Sequence, residues 1–337
     1  MVIVAGYQAW DLPGSRAAFL GGRRSVDRLY WLPFTWHAPT LGPYLEVYTY
    51  PRPIRMTMDD AAPADPAPWW GTYTLQEQEG ARWQIGPMAL WVLRAPHEWR
   101  VFHRQGDDPL ASEVDTELPL PEEERIRLLD GEDSSLKALR FSVQKTQAEV
   151  RLHPALPDRP VVARPESPIF IPPGENVTLY TSVPVWIRIE TGELQRLLHE
   201  LPSFRLSDTW FGPNTRQGNL CYAIRTSGRF QLADLPKRLH RAVAPVNIQN
   251  RAEDNLALER LEIPVQHLTL YEDDANALWT QAVNFTRGPN DPGAQVRLTK
   301  GAPRYASGAT ELQPPREEAK KTLVVSTFGA LGSLFSP

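Results

Sequence analysis

The densest run of chemically capable side chains is RLSDTWFGPNTRQGNLCYA, residues 205–223, which holds Arg205, Asp208, Trp210, Phe211, Asn214, Arg216 and Cys221. An Asp beside two Arg, an Asn and two rings suits two kinds of work. One is recognition: a turn stiffened by Gly212 and Pro213 presents charge and aromatic surface to a partner. The other is acid–base chemistry, with Asp208 orienting His240 or acting with Glu259 on a hydroxyl-bearing substrate such as a sugar, in a hydrolase or carbohydrate-modifying enzyme. Against the second stands the habit of Ser, Asp and Asn of accepting backbone N–H bonds in turns, so the Asp208 carboxylate is expected to be taken up by the turn that follows it. Cys221, the only cysteine, lies in the apolar run LCYAI, where burial raises a thiol pKa and leaves it inert.

No other stretch carries a reaction signature. The chain has no GxxxxGK[ST], GxGxxG, HExxH, GxSxG or CxxC. Its histidines, at 37, 97, 103, 153, 199, 240 and 267, lack the close spacing of a metal site on one element, so neither a metal nor a cofactor is expected. Trp69, Trp70, Trp210 and Trp279 invite sugar stacking, but tryptophan is more often core. HRAVAP and ALERLEIP carry Arg241, Glu259, Arg260 and Glu262; such pairs can grip a ligand carboxylate, though cross-strand ion pairing is the commoner outcome. Leu258 and Leu261 break strand alternation, which a bulge would explain.

The elements that must position these residues are short. Thirty-three prolines fall between brief apolar runs, where a missing N–H and a fixed φ end strands and stiffen loops. Alternating segments occur at 44–58 (YLEVYTYPRPIRMTM), within WQIGPMALWVLRAPHEWRVFHR, at LRFSV and EVRLH, and at VPVWIRIE, where Val185, Ile187 and Ile189 oppose Trp186, Arg188 and Glu190. DDAAPADPAPWWG reads as a loop. The acidic stretch 107–132 has room for a helix over 122–129. In TGELQRLLHELP, Leu194, Leu197, Leu198 and Leu201 recur at helical spacing behind Thr191 as N-cap, which predicts a helix closed by Pro202. Short strands then follow to the end of ALWTQAVNFTR.

At 337 residues the length suits two domains. The expected fold is mainly β: two β-sandwich-like antiparallel domains with one or two short helices, over 1–112 and 136–312, joined by an acidic linker at 113–135. Residues 313–337 form a tether and apolar tail. In LVVSTFGALGSLF, Val324, Phe328, Leu331 and Phe335 make one helical stripe. Thirteen residues are too few to span a bilayer, so the stripe must find the chain's own core, a second copy, a partner protein or a membrane surface.

A net charge of −4 with mixed signs provides no broad basic field, which argues against nucleic acid as a partner. A single cysteine excludes a disulfide framework within the chain, and MVIVAGYQAW lacks the basic region of a signal peptide. No window holds about 18 uninterrupted apolar residues. A cytoplasmic protein that does not span the membrane is expected.

WQIGPMALWVLR with HEWRVF, then RLSDTWFGPNTRQGNLCYA, HRAVAPVNIQN, LERLEIPVQHLTLY and LWTQAV, resemble an uncharacterised archaeal and bacterial family, the domain of unknown function 432 family. The likeness runs roughly over 69–305, and SDTWFGPNTRQGNLCYA is its most specific part. It implies no catalytic residue. It does imply an accessory role beside small-conductance mechanosensitive channels, and with the apolar tail, the missing reaction signatures and the proline-stiffened loops the function expected is a non-enzymatic protein-binding or assembly module. Arg205, Asp208, Trp210, Phe211, Asn214 and Arg216 are its expected contacts, with Val324, Phe328, Leu331 and Phe335 of the tail.

Overall fold

The computed structural model describes residues 67–319, except 213, 215, 227, 228 and 290–293, and the backbone of 323–325. The strands expected over 44–58, most of the loop expected over 59–71, Pro213, and Phe328, Leu331 and Phe335 of the tail lie outside the described residues.

In chain order the strands are β1 (Gly71–Thr74), β2 (Gly80–Ile85), β3 (Met88–Ala95), β4 (Glu98–Gln105), β5 (Val114–Glu117) and, after helix α1 (Glu122–Asp130), β6 (Lys137–Ser142). There follow β7 (Glu149–Ala155), β8 (Val161–Pro165), β9 (Ile169–Ile171), β10 (Asn176–Pro184), β11 (Trp186–Thr191), β12 (Arg196–Pro202), β13 (Ser207–Phe211) and β14 (Asn219–Thr226). The last are β15 (Arg241–Asn250), β16 (Leu256–Leu258), β17 (Leu261–Ile263), β18 (Leu270–Glu272), β19 (Leu278–Thr280), β20 (Val283–Arg287), β21 (Ala294–Leu298), β22 (Thr310–Gln313) and β23 (Leu323–Val325).

The chain is mainly β, as the proline-punctuated pattern predicts. Three sheets position the site. One runs β5-β2-β3-β4-β6, a second β1-β7-β11-β12, and a third β13-β14-β8-β17. A larger sheet is built around β15, which pairs antiparallel with β10 and parallel with β19 and β20. Pairing is mostly antiparallel, as expected, with parallel exceptions where β15 meets β19 and β20 and where β14 meets β8.

Period-2 alternation fixes which face of the first sheet meets the core. Trp83, Ile85, Leu90, Val92, Trp99 and Val101 enter the main cluster with Val150, Leu152, Ile187 and Ile189 of the second sheet. The opposite face offers Ala89, Trp91, Leu93 and Phe102, and Leu120, Leu128 and Leu136 cover it. The acidic segment expected as a linker thus lies against this sheet. Its helix appears where the sequence predicts one, with Glu122, Glu123 and Glu124 in the first turn, where the helix dipole favours them, and left-handed Gly131 at the end. Glu124 also accepts a bond from the Trp91 indole N–H at 2.7 Å.

The leucine-rich helix expected at TGELQRLLHELP is a correction. Residues 186–202 form a hairpin, with Ile187 opposite Leu201 and Ile189 opposite His199. Gly192 (φ 73°) and Gln195 (φ 50°) take left-handed conformations in its turn. A helix here would leave the β11 backbone unpaired on one side, and ladder bonds outweigh the leucine spacing. The leucines scatter accordingly: Leu194 at the turn is 95% exposed, Leu197 45%, and Leu201 only 3%.

The break at Glu259-Arg260 is not a bulge either. β16 pairs with β9 while β17 pairs with β8, so the run changes sheets between Leu258 and Leu261, and both leucines are buried. In the tail, Val324 belongs to a strand paired antiparallel with β21, opposite Gln295, so of the helix or strand that could dock on the chain's own core it is the strand that forms there.

Candidate functional site

The β13–β14 hairpin brings the singled-out residues of 205–223 onto two faces. Asp208 opposes Tyr222 and Trp210 opposes Leu220 on one; Thr209 opposes Cys221 and Phe211 opposes Asn219 on the other. The second face packs inward: Phe211, Cys221 and Val162 form a buried cluster, and the Arg260 guanidinium sits 5.0 Å over the Phe211 ring while donating to the Trp210 carbonyl at 2.7 Å. Phe211 is therefore an anchor, not a presented ring. Burial pushes the Cys221 thiol up to about 12, and the nearby Glu262 carboxylate adds to this, so it is inert as expected.

The turn of this hairpin is built by Asn214. Its Oδ1 accepts the backbone N–H groups of Arg216 and Gln217 at 2.9 and 2.8 Å, and its carbonyl accepts the Trp210 indole N–H. The role expected of Asp208 thus falls to Asn214. Arg216 stays exposed beside it. Gly212 is needed here for space and not for a left-handed φ, because a Cβ on it would overlap the Gln217 carbonyl oxygen and the Gly218 backbone.

Asp208 instead faces a cleft of about 790 Å³. Its carboxylate accepts from Arg159 at 3.3 Å, and that guanidinium lies 5.4 Å from the Tyr222 ring centre. Tyr222 also packs on Trp186, with ring centres 5.3 Å apart, and its hydroxyl donates to Asp158 at 2.9 Å. Burial and that hydrogen bond push the phenol up to about 12.

The opposite wall comes from the first and second sheets. His103 on β4 pairs with Lys137 on β6, and His199 stands on β12, its ring 5.7 Å from Phe141. Both imidazoles are half-buried and held below the ordinary imidazole range. For His103 burial is the main cause, with Lys137 and His199 adding repulsion; for His199 it is burial, opposed by Glu200. The floor is apolar, formed by Met88, Leu139, Trp186, Leu201 and Leu206. Gln105 at the end of β4 accepts the Arg205 backbone N–H at 2.8 Å and so pins that residue at the rim.

The charges of this cleft do not cancel evenly. Glu200 is held by Arg316, Asp208 by Arg159, and Arg104 by Asp133 at 2.9 Å. Lys137 and Arg205 line the cleft with no ion pair or side-chain hydrogen bond among the described residues. Asp208 and Arg205 were readable as site residues from their local run. His103, Lys137, Arg159 and His199 were not, because they converge from strands and loops up to 96 residues apart in the chain, and Tyr222, though in the same run, joins the cleft only through its pairing opposite Asp208.

The pairings proposed for catalysis are not assembled here. His240 is fully buried with its ring against Gly86 and does not line the cleft. Glu259 lies between β16 and β17. No group of three or more His, Cys, Asp or Glu able to hold a metal occurs among the described residues. No helix among them is long and apolar enough to cross a membrane.

Fold and cleft together define a β-rich chain with a cation-rimmed, apolar-floored hollow between sheets. Over residues 69–332 it matches the family described as "Protein of unknown function (DUF432)", and it belongs to that family. No curated protein and no solved structure matches it.

Proposed function

We propose that the chain is a binding module that holds an anionic ligand in this cleft and carries out no chemistry on it. The observation that carries the reading is the pair of cations, Lys137 and Arg205, which have no acidic partner among the described residues and stand above an apolar floor. Unpaired cations at the rim of a concave apolar site attract anions and orient them, while the floor buries the uncharged part of the ligand. A catalytic reading has less support. Both cleft carboxylates are engaged by arginines, and neither His103 nor His199 hydrogen-bonds to a carboxylate that would orient it as a base.

A second reading is a protein partner docked on the same face, the role expected from the sequence. It is favoured by Trp210 and Leu220, a cross-strand pair 42% and 47% exposed on the face that bears Asp208 and Tyr222.

Titration calorimetry on the full chain tests the first reading with benzoate and benzamidine, probes of similar size and opposite charge. Benzoate should bind the tighter of the two, and Lys137→Met and Arg205→Met should each weaken it at least about fivefold. Tighter binding of benzamidine would overturn the anion reading. Retention of a protein on the immobilised chain that Trp210→Ser abolishes, with the two cleft variants without effect, would favour the second.

A further inference from the structure

The charge left over in the cleft is specific enough to name a ligand class. Each acid lining it already has an arginine: Asp208 has Arg159, which it shares with Asp158 at 3.8 Å, and Glu200 has Arg316. Arg104, the remaining cation on the wall, is committed to Asp133. Among the described residues, the cations of the cleft left without an ion pair or side-chain hydrogen bond are one ammonium and one guanidinium, held by different elements: Lys137 on the first strand position of β6, and Arg205 in the segment between β12 and β13. A carboxylate or a sulfate ester carries one negative charge and would leave one of these cations unmatched. A phosphomonoester carries about −1.5 to −2 at neutral pH and three acceptor oxygens. The guanidinium fork matches two of those oxygens and the ammonium takes the third as a point charge.

The rest of the cleft fits the remainder of such a molecule. Met88, Leu139, Trp186, Leu201 and Leu206 form an apolar floor, and about 790 Å³ is room for an organic body of some size and not for an inorganic ion alone. The imidazoles of His103 and His199 stand on the same wall as Lys137, and a neutral imidazole still has one N–H to donate.

We propose that the cleft selects an organic phosphomonoester: a dianionic phosphoryl group bridged by Lys137 and Arg205, with an apolar body seated on the floor between Leu139, Trp186 and Leu201. This rests on the reading of the cleft as an anion-binding site. The same chemistry is offered by a soluble aryl or alkyl phosphate and by the headgroup of phosphatidic acid.

Calorimetry on the unaltered full chain with phenyl phosphate, phenyl sulfate and inorganic phosphate tests it. Phenyl phosphate and phenyl sulfate share a shape and differ in charge. Phenyl phosphate should bind at least about tenfold more tightly than phenyl sulfate, and inorganic phosphate should bind more weakly than phenyl phosphate for want of a body. Lys137→Met and Arg205→Met should each bring phenyl phosphate down to the level of the sulfate; the comparison of probes on the unaltered chain stands even if a variant misfolds. Equal affinity for the two phenyl esters would overturn the phosphomonoester assignment while leaving the anion reading in place. Binding of neither, with benzamidine bound, would overturn both. Sedimentation with phosphatidylcholine vesicles containing phosphatidic acid, competed away by phenyl phosphate, would support the proposal in its lipid form. Binding of phenyl phosphate with no sedimentation would support it in its soluble form.

Discussion

His240 shows what a single buried side chain does to the chain as a whole. The imidazole is fully buried, its ring is packed where a Cβ on Gly86 would stand, and neither nitrogen makes a well-formed hydrogen bond among the described residues. Burial above all, with Arg241 and Arg238 adding repulsion against a weak opposing pull from the Pro109 carbonyl, drives its pKa down to about 3. His153 on β7 is likewise pushed down to about 4 by burial and by Arg151 and Arg188. Both rings are neutral in the folded chain near pH 5, whereas the unfolded chain binds a proton on each below about pH 6.5. The unfolded state therefore holds more protons in that window, and stability falls as the solution is acidified. Each ring contributes a slope of about 1.4 kcal/mol per pH unit. Urea melts of the His240→Leu variant between pH 6 and 4 should show a slope shallower than the parent by about that amount; an unchanged slope would mean the ring is hydrated in the fold. In the sequence this histidine offered itself as a partner for Asp208, since its type was visible and its burial was not.

At the scale of elements, the 186–202 hairpin marks where sequence pattern and fold part company. Leucines at 194, 197, 198 and 201 read as one helical face, and Thr191 and Pro202 as its ends. What decided otherwise was an unpaired edge of β11, which is a property of the assembled sheet and is not encoded in the twelve residues themselves. The two arrangements differ sharply at Leu194. On the core face of a helix it would be needed; at the hairpin turn it is almost fully exposed. Leu194→Lys should change the unfolding free energy by no more than about 0.5 kcal/mol, while Leu201→Ala, which empties a core position, should cost about 2–4 kcal/mol. A large loss at Leu194 in chemical denaturation would restore the helix. Elsewhere the pattern was sufficient: VPVWIRIE gives β11 with Ile187 and Ile189 buried and Val185 buried just ahead of it, and the helix at 122–130 starts within a residue of its expected place. β3 was also read as a strand run, from Met88 to Leu93, whereas the change of sheet after Leu258 left no alternation to read.

For the molecule as a whole, the cleft exists because three sheets meet without closing. β4 and β6 bring His103 and Lys137, β12 brings His199 and Glu200, and the β13–β14 hairpin brings Asp208 and Tyr222. Alternation makes many of their strands legible, though not β12; the meeting of the sheets is not legible, since it depends on pairings such as β14 with β8 that join segments about sixty residues apart. This explains why, of the cleft residues, Arg205 and Asp208 were visible as candidates, both being charged and in one run, while those brought in by other strands were not.

The hairpin that forms one wall of the cleft also shelters the chain's sole thiol on its other side. A reagent that modifies thiols has no thiolate to meet until the two strands lift away from Val162, so the speed of alkylation measures how often that wall opens. Labelling of Cys221 by iodoacetamide at pH 7 should run far slower than that of a free cysteine. It should slow again when phenyl phosphate fills the cleft, which makes the one cysteine a clock for the breathing of the wall opposite the ligand.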